Sequence, residues 1–235
     1  MPNSIYITGD THRDIDIKKI SKKILPEQKT MDKTDYLIIC GDFGGIWNGI
    51  NKDGIDKDRY FKQIYEAKNF TTLFIDGNHD NHNILDSLEV SEWHGGKVHI
   101  INQSLIHLMR GQVYEIYDKL FFIMGGGNSC DKKCRSENIS WWSQEMPNLK
   151  QYEEGIVNLQ KHNNKVNYIV THTTTTKLGE NMSLKDMLDE KELGEYIQTI
   201  ENNVGFEHAY FGHFHVDKDV DDKHTALYQK VLKII

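Results

Sequence analysis

Five short clusters of metal-ligand side chains recur along this 235-residue chain, each where an apolar run stops: Asp10-Thr11-His12, Gly41-Asp42, Gly77-Asn78-His79-Asp80, Thr171-His172 and Gly212-His213-Phe214-His215. Taken singly, each reads as a helix cap, a turn or an ordinary loop. Taken together they point to one composite metal site, because the ends of strands lying side by side meet in one place. Asp10 and His12 are two residues apart, so in an extended segment both side chains leave on one face and grip the same ion; His213 and His215 repeat that spacing. Carboxylate and imidazole without thiolate favour manganese, iron or zinc over a soft-metal site.

The elements that must position these residues can be read from the apolar pattern. Ser4 to Thr8, Tyr36 to Cys40 and Thr72 to Ile75 are near-continuous runs of β-branched, aromatic and other apolar residues, the pattern of centrally buried strands. Between them, Ile15, Ile17, Ile20 and Ile24, and then Tyr60, Phe61, Ile64 and Tyr65, have helical spacing. Strand, helix, strand alternation predicts an α/β sheet with crossover connections. Lys97 to Met124 holds four short runs with tight punctuation, which predicts antiparallel pairing. Tyr152, Ile156 and Leu159 predict a helix, and Val166 to Val170 a strand. Ser183 with Asp186 starts a helix over Leu184 to Ile200, with Leu193, Tyr196, Ile197 and Ile200 on one face. Ala209 to Phe211, Ala226 to Tyr228 and Val231 to Ile234 are the last predicted strands. No linker or repeat divides the chain, so residues 1–235 are read as one domain containing two sheets with flanking helices.

Composition narrows the function. The balance of 28 Lys plus Arg against 35 Asp plus Glu gives a net charge of −7, which offers no basic face for nucleic acid. The apolar runs are too short to cross a bilayer and no secretion signal opens the chain, so the expected location is cytoplasmic. Cys40, which ends an apolar run, and Cys130 and Cys134, which flank a polar stretch, read as thiols in a reducing compartment.

The five clusters, in this order and spacing, resemble the calcineurin-like metallophosphoesterase family, whose signature runs Asp-x-His, Gly-Asp, Gly-Asn-His-Asp or Glu, a separate His, then Gly-His-x-His. The resemblance spans residues 9 to 215. It implies a four-layer α/β sandwich, two mixed β-sheets flanked by helices. It also implies two divalent metal ions, one held by Asp10, His12 and His215, the other by Asn78, His172 and His213, with Asp42 bridging. Manganese is the first choice, with iron or zinc as alternatives. His79 is implied to lie over the substrate as general acid while a metal-bridging hydroxide attacks phosphorus. Two divalent ions against two carboxylates and one hydroxide leave about +1, so an acidic chain still attracts phosphate esters.

Departures from the family bear on the substrate. Protein phosphatases of this type carry Gly-Asp-x-x-Asp-Arg-Gly at the second cluster, where the second Asp orients the catalytic His and the Arg grips phosphate. This chain has Gly41-Asp42-Phe43-Gly44-Gly45-Ile46 instead. The expected substrate is therefore a small or nucleotide-type phosphate ester, monoester or diester, contacted by Arg13 and Asn78. His79 must be oriented by some other residue. A scaffold role for the fold is disfavoured by the presence of His79 and all seven ligand residues, and a nuclease role by the charge balance. Gly125-Gly126-Gly127 reads as a tight turn beside the site, and Trp47 and the Trp141-Trp142 pair as loop packing. The remaining histidines read as surface or core residues.

Overall fold

A computed structural model of the chain describes residues 3–182 and 190–235. The Ser183–Asp186 start signal lies outside the described residues. The first sheet combines β1 (Ile5–Thr8), β2 (Tyr36–Ile39), β3 (Thr71–Phe74), β4 (Val90–Trp93), β5 (Gly96–Asn102), β6 (Leu105–Leu108) and β13 (Leu232–Lys233), in the order β13-β1-β2-β3-β6-β5-β4. The second combines β7 (Gln112–Ile116), β8 (Lys119–Met124), β9 (Tyr168–Thr171), β10 (His208–Phe211), β11 (Lys218–Asp221) and β12 (His224–Ala226), in the order β11-β12-β10-β9-β8-β7. The helices are α1 (Arg59–Glu66), α2 (His82–Leu85), α3 (Leu149–Lys161), α4 (Thr176–Asn181) and α5 (Lys191–Asn203).

Strand alternation explains the layering. In β1, Ile5 and Ile7 face the second sheet while Tyr6 faces outward; in β8, Phe121 and Ile123 face the first sheet while Phe122 and Met124 face outward. The inward set meets in one apolar core between the sheets. Tyr6, Leu37, Ile39 and Phe74 carry a second core with Ile20, Phe43 and Tyr65. Phe122, Met124 and Ile169 carry a third with Tyr152 and Leu159 of α3 and Leu193 and Ile197 of α5. The outcome is the expected order of helices, sheet, sheet, helices.

Register then brings the strand ends together. β1, β2 and β3 are parallel with Thr8 beside Ile39 and Ile39 beside Phe74. β8, β9 and β10 are parallel with Met124 and Phe211 both beside Thr171. All five sequence clusters therefore leave the same edge of the sandwich, three from the first sheet and two from the second.

Several local expectations are corrected. The segment Ile15 to Ile24 forms only a short 3-10 turn over Ile17–Ile20, with Ile15 at 74% and Ile24 at 56% exposure. Lys19 rather than isoleucine spacing organises it: the buried ammonium donates to the carbonyls of Asp10 at 2.6 Å and Tyr228 at 2.5 Å. In α3 the inward stripe is Tyr152, Gly155 and Leu159, while Ile156 is exposed. The hairpins β5–β6 and β7–β8 are antiparallel as expected, but they belong to different sheets, and the chain crosses between sheets at Arg110-Gly111. Strands β4 and β11 lacked an apolar pattern: both are mostly exposed edge strands. Among the described residues no helix is long and apolar enough to cross a membrane.

Because Ile123 is fully buried between the sheets, Ile123→Ala should cost about 2–5 kcal/mol of stability. Urea unfolding checks this, with the midpoint expected to fall at unchanged slope.

Candidate metal centre

Each loop delivers its donor through a tight backbone path. His12, Arg13, Asp42, His213 and His215 all have positive φ, between 41° and 68°, in the left-handed region that non-glycine residues seldom occupy. The extended geometry expected for Asp10–His12 and for His213–His215 is thus corrected. The chain has left the strand before each histidine, and a left-handed turn aims the ring. Gly41, at φ +87°, and Gly77 let the loops close up, since a Cβ on Gly77 would stand 2.2 Å from Asp42 Oδ1 and 2.7 Å from His172 Nε2.

The result is two overlapping donor groups. Asp10, His12, Asp42 and His215 form one, and Asp42, His172 and His213 form the other, with the ligand atoms of each group within 4.8 Å of one another. Asp42 belongs to both. Its Oδ2 lies 3.2 Å from His12 Nε2, and its Oδ1 lies 3.2 Å from His172 Nε2 and accepts the His79 backbone N–H at 2.7 Å. Asn78 joins the second group, with its side-chain oxygen 3.1 Å from His172 Nε2 and its amide donating to Ser129. His213 and His215 therefore serve different groups rather than sharing one.

The imidazoles are oriented from behind. His172 donates Nδ1–H to the Cys40 carbonyl at 2.8 Å, and His12 Nδ1 pairs with Asp16 at 2.9 Å, so both present Nε2 to Asp42. His213 Nε2 instead meets Glu190 at 2.8 Å, which leaves Nδ1 for the cluster. Glu190 is fully buried and also accepts from Asn128 N–H and from the Thr173 hydroxyl. His215 stacks on Tyr228 with ring centroids 4.6 Å apart. These donors fit hard or borderline divalent cations: two carboxylates, four imidazoles and an amide oxygen, convergent and mostly buried.

Among the chain's own groups, the carboxylates are balanced by imidazolium. Burial would lower His12 and His172, but the Asp42 carboxylate overrides it and lifts them to about 9 and about 10. Burial opposes the charge of Asp42, yet the His172 and His12 rings hold its carboxyl well below the usual range. Burial, reinforced by Asp42, raises Asp10. The same two causes push Asp80 up to about 6; its carboxylate ties the second and third clusters together by accepting from Gly44 and Gly77 N–H.

Sequence-level candidates divide here. Asp10, His12, Asp42, Asn78, His172, His213 and His215 converge, and His79 stands beside them with its ring 5.7 Å from that of His12. Arg13 is committed elsewhere, with its guanidinium carbon 4.5 Å over the Phe61 ring and Nη2 3.8 Å from Asp58. Trp47 packs on the buried Trp142. The tight turn expected at Gly125-Gly126-Gly127 is corrected: the segment lies beside the site, against His172, but forms no turn, and Gly126 and Gly127 spend their N–H groups on the distant carbonyls of Asp76 and Glu145. The residues that sequence reading missed are Asp16, Glu190 and Arg135, whose guanidinium contacts His79. They sit outside the clusters; the spacing of four between His12 and Asp16 is the one local signal, and none marks Glu190 or Arg135.

Behind the third cluster lies a polar cavity of about 180 Å³ lined in part by Asp76, His82, His99, His107 and Arg110. Arg110 donates to Asp76 at 2.7 Å, His107 pairs with Asp76 at 3.3 Å, and His82 supports the Gly77 carbonyl at 3.0 Å. Burial, with Arg110 nearby, pushes His82 down to about 4, so it holds the loop as a neutral donor.

The family model for calcineurin-like phosphoesterases matches residues 4–217. Among solved structures, a phosphopantetheinyl hydrolase (PptH) from Mycobacterium tuberculosis is similar at 14% identity and a TM-score of 0.40, over 96% of this chain and 88% of that one. No curated protein matches.

Cation binding requires neutral imidazoles, so His12 and His172 must release protons when a cation enters. Affinity should therefore rise with pH toward the window set by about 9 and about 10. In chelated protein the sign for stability is opposite: both values are raised above the ordinary 6.5, so their contribution is full below that value and fades as pH passes through about 9 to 10. Calorimetric titration of Mn²⁺ in buffers of different ionisation enthalpy reads the protons released, and thermal melts with chelator read the stability. A pH-independent affinity is the contrary result.

Proposed function

The chain belongs to the calcineurin-like phosphoesterase family and is a metallophosphoesterase, and from that premise we propose that it hydrolyses small phosphate esters, nucleotides included, at the Asp42-centred cluster. The observation that carries the reading is the pair of donor groups sharing Asp42. One carboxylate shared between two sets of further donors, one with the Asp10 carboxylate and one neutral, is what a dinuclear centre needs. Two divalent cations held in these sets, manganese first and iron or zinc as alternatives, would supply positive charge for polarising a phosphoryl oxygen and acidifying water at neutral pH.

The chain's residues supply orientation and the proton. Asp10, His12 and His215 would hold one cation and Asn78, His172 and His213 the other. The Asp16, Cys40 and Glu190 contacts fix which nitrogen of His12, His172 and His213 faces inward. His79, anchored through its backbone N–H to Asp42, is placed to hand a proton to the departing oxygen as general acid. Burial and the Arg135 cation lower its pKa, against the pull of Asp42; a bound phosphate dianion supplies the negative charge that favours its protonated form. The Asn78 side chain, in the same loop, completes the approach to phosphate.

With Mn²⁺ loaded, Asp42→Asn should lose cation binding and nearly all hydrolysis of a chromogenic phosphate ester. His79→Gln should keep both cations and lower kcat by about 10²–10⁴-fold. Metal analysis alongside steady-state kinetics separates the two. Wild-type turnover by Asp42→Asn would sink the shared-carboxylate reading.

A further inference from the structure

The second cluster lacks a phosphate-gripping arginine, and Arg13 faces Phe61. A different arginine reaches the site from elsewhere. Resting on the phosphoesterase reading above, we propose that Arg135 binds a non-bridging oxygen of the substrate phosphoryl group beside His79, and that it thereby favours phosphomonoesters.

Arg135 lies on the stretch of residues 125–148 between β8 and α3, which contributes none of the metal-ligand candidates. Its side chain is pinned on the far side: Nε bonds Asp131 Oδ1 at 2.7 Å, and Nη1 donates to the Ser140 carbonyl at 3.0 Å. On the near side the same Nη1 is 3.0 Å from His79 Nδ1, and Nη2 is 3.4 Å from His79 Nε2. These two near-side contacts cannot both be hydrogen bonds. A guanidinium offers only donors, and a neutral imidazole has one lone pair. The shorter contact, to Nδ1, takes that lone pair. Nη2 is then left facing another N–H group, and among the described residues it has no acceptor besides that ring.

A guanidinium donor that no protein acceptor takes, on a side chain 22% exposed beside the acid histidine, is open to an anionic oxygen. The position also explains how His79 is oriented without the aspartate of the protein phosphatases. In the neutral ring Arg135 Nη1 holds Nδ1 as the acceptor and Nε2 carries the proton; as the guanidinium turns from the ring to a bound phosphoryl oxygen, Nδ1 is freed to take up the second proton of the acid form. An arginine held by Asp131 and Ser140 is already positioned, so little side-chain entropy is lost when it engages phosphate.

The substrate class follows from counting oxygens. A monoester dianion has three non-bridging oxygens. With two drawn toward the two cation sets, one charged oxygen is left for Arg135. A diester has only two, so its ester arm would face the guanidinium instead. Arg135 thus contributes to monoester binding more than to diester binding.

The test uses full-length Mn²⁺-loaded protein, with Arg135→Gln and Arg135→Lys, and inorganic phosphate as the probe in calorimetry. Arg135→Gln should keep the wild-type cation content while binding phosphate about 10–100-fold more weakly. KM for a chromogenic monoester should rise by a similar factor, with a smaller change for the corresponding diester, and Arg135→Lys should recover part of the loss. If Arg135→Gln melts early, Asp131→Asn, which removes the pinning carboxylate, should weaken phosphate binding in a protein that keeps its arginine. Unchanged phosphate affinity in these variants, with hydrolysis by wild type intact, overturns the role of Arg135 and leaves the phosphoesterase reading standing. A wild type that binds cations but neither phosphate nor any ester would overturn both.

Discussion

Removing a carboxylate from water costs several kcal/mol unless N–H groups or cations meet it, and Asp42 is only 1% exposed. Its side chain gathers His12, His172 and the backbone of His79. Its own carbonyl accepts the N–H groups of Thr11 and His12. Three of the other four loops that leave the sandwich edge are thus fastened to one residue, while the last brings His213 and His215 to it and is itself tied to Asp10 through His213 N–H at 3.0 Å. The left-handed turns and the close-packed glycines follow from this demand, because donors cannot converge on a buried carboxylate along straight strands.

Supporting charge is arranged in depth. Asp80 ties two loops by their N–H groups, and Asp76 behind it is held by Arg110. Burial pushes Asp76 up, but the Arg110 guanidinium outweighs it and keeps the carboxyl well below its ordinary value. The two carboxylates behave differently for a physical reason: Asp76 has a cation, whereas Asp80 has mainly backbone dipoles and a like-charged neighbour in Asp42. Arg110 also marks the crossing between sheets, so the same contact that neutralises Asp76 links β3 to the β6–β7 connection.

The strand ends were legible because burial on both faces leaves an uninterrupted apolar run, and the ligands follow such runs directly. Tyr36 to Cys40 and Tyr168 to Val170 are runs of this kind. Ile15 to Ile24 misled because periodicity ignores what a single buried ammonium can do: Lys19 fixes that segment by two carbonyls and leaves Ile15 in solvent. Asp16, Glu190 and Arg135 were illegible for a related reason. Glu190 and Arg135 are ordinary charged residues that only tertiary placement puts within 3.0 Å of a histidine, whereas Asp16 meets His12 four residues away, a spacing too common to single out. Spacing encodes which face a residue shares with its neighbours, and nothing about the loop it meets across the molecule.

The stretch of residues 125–148 enters between β8 and α3 and is closed at its far end by the reciprocal Asn148–Gln151 cap of α3. It carries Arg135 to the mouth of the site, and at its start it also braces the cage, since Ser129 accepts from the Asn78 amide and Asn128 N–H donates to Glu190. Support of the ligands and contact with His79 are thereby carried by different parts of one excursion. Changes near Asn128 and Ser129 reach the cation cage directly, whereas changes around Arg135 reach it only through His79.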